Sequence, residues 1–234
     1  MIEFDFSGYQ WQKSNSHGES RGPGPNIFSP DNAYLDAEGA LHLHIAKEHG
    51  KWTSAEVSID QPLGYGDYSF FISGDPTEFD PNVVTGLFLY KDDTHELDIE
   101  FAKWGHPDSN PIQYVIQPSK PQNMHTFKPN SMPNSSTHRI LWSPDEVGFE
   151  SLEGHTLKAD EKNTIEKWDF KKLPFQPTSE RVMINLWLAG GRPPIDEKEV
   201  ELVIAKFSHD YMKSKTTELP RQVSHFSLKR LLGR

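Results

Sequence analysis

The sequence contains no cysteine, which removes disulfides, thiolate metal sites and cysteine nucleophiles together. The compartment stays open, because exported proteins also dispense with cysteine. No stretch approaches about 18 consecutive apolar residues, so no segment has the length of a membrane-spanning helix. Positive charge is scarce: 24 Lys and Arg stand against 34 Asp and Glu, a net charge of −10. That balance argues against nucleic acid or an anionic membrane as partner, since both demand clustered cations. The opening residues Met1-Ile2-Glu3-Phe4-Asp5 lack the basic and apolar regions of a signal peptide. No internal repeat stands out.

What the chain has is aromatics and turn formers: 14 Phe, 7 Tyr, 6 Trp, 18 Pro and 16 Gly in 234 residues. The mixture suits short strands joined by turns. Residues 14–30, rich in Gly, Ser, Asn and Pro, read as loop. Period-two patterns follow. Leu41, Leu43 and Ile45 interleave with His42 and His44; Ala55, Val57 and Ile59 with Glu56, Ser58 and Asp60; Ile112, Tyr114 and Ile116 with Gln113, Val115 and Gln117. Further strands are expected near 66–73, 84–90, 137–142, 146–152, 181–187 and 200–207. A helix is expected only over 158–170. The fold class is therefore all-β, a sandwich or jelly roll. Residues 1–211 form one expected domain. Residues 212–234 carry six basic side chains against one acid, a tail expected to pack on or tether to a body of charge −15.

The most informative segment is His95-Glu96-Leu97-Asp98-Ile99-Glu100-Phe101. Strand periodicity puts Glu96, Asp98 and Glu100 on one face and Leu97, Ile99 and Phe101 on the other. Adjacent carboxylates raise one another's proton affinity, so one stays protonated near neutrality in a cleft of low dielectric. Glycoside hydrolysis needs that division, one carboxyl as acid and one carboxylate as nucleophile. A retaining mechanism sets them roughly 5–5.5 Å apart, within reach of two inward-leaning Glu side chains on a concave sheet. A solvated acidic sheet face or a calcium site would use the same residues. Context favours a cleft, because Phe88 and Tyr90 share one face of the preceding strand and sugar rings stack on such surfaces.

The segment 96–101 resembles the E-[IL]-D-[IV]-E-F signature of glycoside hydrolase family sixteen, the β-glucanases and their relatives. Residues 26–210 follow the family's order. Phe28-Ser29-Pro30-Asp31-Asn32 and residues 36–43 resemble its opening strands, and Ser54-Ala55-Glu56-Val57 and Gly64-Tyr65-Gly66-Asp67-Tyr68 the next two. His138-Arg139-Ile140-Leu141-Trp142-Ser143-Pro144 resembles H-x-x-x-W-x-P, residues 149–154 the turn after it, and Met183-Ile184-Asn185-Leu186-Trp187 M-x-N-L-W. The resemblance implies a concanavalin-like jelly roll with a concave substrate cleft. It implies Glu96 as nucleophile, Glu100 as acid/base and Asp98 assisting between them. It puts Glu56, Phe88, Tyr90, Gln113, Gln117, Asn185 and Trp187 at substrate-contacting positions. A polysaccharide or oligosaccharide substrate, a monomeric state, no cofactor, and a secreted or periplasmic location are implied with it.

Several positions depart from the family pattern. Glu56-Val57-Ser58 replaces Glu-x-Arg, so an arginine contact is expected to be missing. Thr94 stands where lichenases often have Trp. Lys206 stands where a structural-calcium Asp can lie, and no metal is expected. No H-x-x-x-H or H-E-x-x-H spacing occurs, and His42 and His44 read as surface imidazoles. The reading is a retaining endo-acting hydrolase of β-1,3 or mixed β-1,3/1,4 glucan. The alternatives are a transglycosylase with the same residues and a non-catalytic, lectin-like glycan binder, which has no use for three crowded carboxylates.

Overall fold

Alternation of apolar and polar residues runs along most of the chain, and it produces strands. The computed structural model describes residues 2–171 and 175–211; the basic tail expected at 212–234 lies outside them. In chain order the strands are β1 (Ile2–Phe6), β2 (Tyr9–Lys13), β3 (Ala33–Leu35), β4 (Leu41–Glu48), β5 (Lys51–Thr53) and β6 (Ala55–Ile59). Then come β7 (Gly66–Ser73), β8 (Val83–Asp92), β9 (His95–Ala102), β10 (Ile112–Ile116) and β11 (Met124–Phe127). The last are β12 (Ser135–Trp142), β13 (Val147–Glu153), β14 (Thr164–Phe170), β15 (Arg181–Leu188) and β16 (Val200–Tyr211).

Two antiparallel sheets pack face to face as a jelly-roll sandwich. One runs β1-β2-β6-β15-β8-β9-β10-β11 and the other β14-β13-β12-β7-β16-β4-β3, with β5 beside β4. The period-two residues meet between them. Leu41, Leu43 and Ile45 of β4 join Phe70 and Ile72 of β7, Leu97, Ile99 and Phe101 of β9, and Ile184 and Leu186 of β15 in one buried cluster. Each such side chain contributes about 1.5–3 kcal/mol. Within this apolar layer sits a satisfied polar chain: His138 on β12 bonds Ser151 Oγ at 2.7 Å and Ser136 Oγ at 2.9 Å. Ser151 Oγ also meets Tyr114 Oη at 2.6 Å. That chain joins the two sheets, and burial lowers the His138 pKa to about 3.

The expected helix over 158–170 is not there. Asp160 Oδ1 accepts from the backbone N–H of Lys162 and Asn163, which closes a turn. From Thr164 the chain is strand β14, paired with β13. Trp168 and Phe170 lie two apart on one face, and Trp168 stacks on Phe149 with centroids 5.6 Å apart. Cross-strand packing overrides the weak helical spacing. Sequence reading also passed over the hairpin of β1 and β2. Its turn, Ser7-Gly8, has φ of 54° and 83°, the positive pair a tight two-residue hairpin requires.

Candidate active site

The face of the first sheet turned away from the core carries the cleft. The β8–β9 register sets Tyr90 beside Glu96, Phe88 beside Asp98 and Gly86 beside Glu100. From β15, Arg181, Met183 and Asn185 pair with Tyr90, Phe88 and Gly86. Beyond them Glu56 on β6 pairs with Asn185, and Gln113 on β10 pairs with Glu100. One row therefore reads Glu56, Asn185, Gly86, Glu100, Gln113 across five strands. Gly86 keeps its middle open: a Cβ there would lie 2.5 Å from Asn185 Oδ1 and 3.3 Å from the Phe88 ring. The resulting cleft has a volume of about 440 Å³ and is lined by the three carboxylates, Phe88, Tyr90, Asn185 and Trp187 among others.

Burial dominates the electrostatics of the carboxylates. Asp98 is 4% exposed, and burial followed by the charges of Glu96 and Glu100 raises its pKa well above the ordinary value. Burial likewise pushes Glu96 up to about 7, opposed by its hydrogen bond with Asp98. Glu100 is raised by burial, and Gln113 holds it back by donating from Nε2 to Glu100 Oε2 at 2.5 Å. The three titrate as one unit that cannot be fully ionised near neutrality. Two oxygens in the floor, Asp98 Oδ2 and Asn185 Oδ1, are buried without a donor among the described residues.

Glu56, Phe88, Tyr90, Glu96, Asp98, Glu100, Asn185 and Trp187 thus come together in the cleft. Gln113 and Gln117 do not line it. They stand beside the carboxylates, Gln113 hydrogen-bonded to Glu100 from the neighbouring strand and Gln117 to Asp98. Although position 58 is Ser, two arginines line the cleft. Arg21, from the loop before β3, reaches Glu56 Oε1 at 3.1 Å and lies 4.9 Å over the Phe28 ring. Arg181 also lines the cleft and pairs with Asp60 at 3.5 Å. The alternation Arg181, Met183, Asn185, Trp187 carried the signal for Arg181, whereas nothing around Arg21 in the sequence announced it. Trp104, 38% exposed, also went unnoticed; it meets the Trp187 ring edge to face at 5.9 Å. Lys206 lies 5.5 Å over the Phe71 ring.

No protein-family model and no curated protein matches this sequence. Solved structures do match in fold. A β-glucanase from Bacillus licheniformis superposes with a TM-score of 0.62 at 18% identity, over 86% of this chain and 92% of that one. A family 16 endo-glucanase from Bacteroides ovatus gives 0.61 at 12% identity, over 86% and 94%. A pseudo β-1,3-glucanase of Mycobacterium tuberculosis gives 0.60 at 18%, over 86% and 91%. The fold is that of the family 16 glucanases. At these identities the likeness speaks for architecture, and the chemistry has to be argued from the cleft's own residues.

Proposed function

We propose that the chain is a retaining, endo-acting glycoside hydrolase of β-1,3 or mixed β-1,3/1,4 glucan. The observation that carries this reading is the row of Glu96, Asp98 and Glu100 in the cleft floor, all three with raised proton affinity. Near neutral pH such a trio supplies both a proton donor and an ionised nucleophile. The fold shared with β-glucanases supports the glucan assignment.

In this mechanism Asp98 keeps its proton and donates it in a hydrogen bond to Glu96, which favours the ionised nucleophile. Glu96 attacks the anomeric carbon as the bond to the leaving oxygen breaks, and Glu100 gives that oxygen its proton. Positive charge developing at the anomeric carbon further stabilises ionised Glu96. A covalent glycosyl–enzyme ester results. Glu100, now ionised, takes a proton from water, the water oxygen bonds the anomeric carbon, and Glu96 departs. Phe88, Tyr90 and Trp187 offer rings for sugar faces, while Asn185 and Glu56 accept hydroxyls.

The test is a polysaccharide panel with sized products, followed by Glu96→Ala and Glu100→Ala on a substrate with an activated leaving group and added azide. Glu100→Ala is expected to give a β-glycosyl azide, and Glu96→Ala none. Glycan binding without cleavage by the parent protein would support the lectin-like alternative. Transfer products exceeding hydrolysis products would support the transglycosylase.

A further inference from the structure

The outer face of the second sheet, opposite the cleft, carries a cluster the reaction does not use. Leu41, Leu43 and Ile45 of β4 point into the core, so His42 and His44 point away from it. The β4–β16 register puts Glu201 directly opposite His44, with His42 across from Val203. His42 Nδ1 lies 2.7 Å and His44 Nε2 2.9 Å from the same oxygen, Glu201 Oε1. All three donor atoms fall within 4.8 Å of one another.

Two further features mark this as more than a surface ion pair. His42 turns its other nitrogen, Nε2, to Asp36 Oδ2 at 3.0 Å. A carboxylate behind an imidazole fixes its ring and tautomer in the way metal-ligating histidines are held. The Tyr34 ring stacks flat on His42, with centroids 5.0 Å apart and planes 9° apart, so the imidazole is pinned on two sides. The Tyr34 ring packs on His44 as well, with centroids 5.4 Å apart, and so holds the second imidazole beside Glu201.

We propose that His42, His44 and Glu201 bind one divalent transition-metal ion of the zinc class, with Asp36 orienting His42 from behind. Two imidazoles and one carboxylate suit zinc and its neighbours, whereas calcium prefers an all-oxygen shell. Donors around a tetrahedral zinc stand about 3.3 Å apart, so the Glu201 side chain must draw back by about half an ångström and the two imidazole nitrogens, within 4.8 Å of each other, must settle at the same spacing. Its 44% exposure leaves room for that shift. The three ligands come from positions 42, 44 and 201, so the ion binds the folded chain and clamps β4 to β16. The sequence signal was half present, as His42-Leu43-His44. The third ligand was invisible until the register placed β16 beside β4.

The experiment uses the full chain, stripped with a chelator and titrated with zinc chloride by calorimetry. The parent protein is expected to bind one equivalent, insensitive to excess calcium. At about hundredfold saturation the melting temperature is expected to rise by about 5–10 °C. His44→Ala and Glu201→Gln are expected to lose the saturable site, and Asp36→Asn to weaken it about tenfold. His106→Ala, which removes an exposed imidazole from a distant loop, is expected to leave it unchanged. Melting curves without metal and an unaltered turnover number verify that the variants are folded. Failure of the parent to saturate, or one-to-one binding that survives in folded His44→Ala and Glu201→Gln, would overturn the proposal.

Discussion

Replacing Glu96 by glutamine removes a charge the fold holds under strain, and the effect on stability depends on pH. Burial moves the Glu96 proton equilibrium from the ordinary 4.5 to about 7. A folded-state pKa above the unfolded one means the native chain binds the proton more tightly. Its contribution to stability is therefore complete below pH 4.5 and is lost as pH rises through 4.5 to about 7. At about 1.4 kcal/mol for each tenfold change in proton affinity, the loss by pH 8 is about 3 kcal/mol. Asp98 and Glu100 move in the same direction, while Asp36, Asp92 and Glu201, with lowered values, move oppositely. Comparing variant with parent at each pH cancels Asp36, Asp92 and Glu201, while Asp98 and Glu100, coupled to Glu96, become easier to ionise once its charge is gone, so the difference is read for the trio as a whole. Urea unfolding should show Glu96→Gln close to the parent at pH 4.5 and about 3 kcal/mol more stable at pH 8. A difference that does not change with pH, or a variant destabilised at pH 8, would refute the electrostatic account of the cleft.

Gly86→Ala is expected to leave the protein folded but lower kcat/KM at least tenfold, because the new Cβ meets Asn185 Oδ1 at 2.5 Å and displaces it; steady-state kinetics with a melting curve separates the two effects. Ser151→Ala strips a shared partner from buried Tyr114 and His138 and is expected to cost about 1–3 kcal/mol in urea unfolding with no change in turnover. Truncation after Tyr211, where β16 ends, is expected to leave the melting temperature and the cleavage of short soluble substrates nearly unchanged. Unfolding of the truncated protein would place the tail in the core.

Legibility in the sequence followed the range of the interaction. The carboxylate strand was readable because Leu97, Ile99 and Phe101 had to face the core, which left Glu96, Asp98 and Glu100 one place to go. The same logic located β4, β6, β7, β8, β10, β12, β13, β15 and β16 to within a few residues. It failed at β14, where Ile165 and Trp168 stand at a helical spacing of three and the deciding contact, Phe149, belongs to another strand. The β1–β2 hairpin was legible in principle, since Phe4, Phe6, Tyr9 and Trp11 flank Ser7-Gly8. Long-range pairings were closed to sequence reading. Neither Arg21 on Glu56 nor Glu201 on His42 and His44 leaves any local periodicity. Gln113 was placed on β10 and Gln117 lies one residue past its end; their hydrogen bonds to Glu100 and Asp98 depend on side-chain packing that no pattern announces.

The central claim is that two glutamates on one strand break and remake an anomeric bond with a covalent stop between. Proton NMR of a β-linked glucan oligosaccharide during its first minutes with the enzyme tests it most directly. Retention requires that the newly formed reducing end appear first as the β-anomer and only later drift to the equilibrium mixture. An α-anomer appearing first would contradict the mechanism.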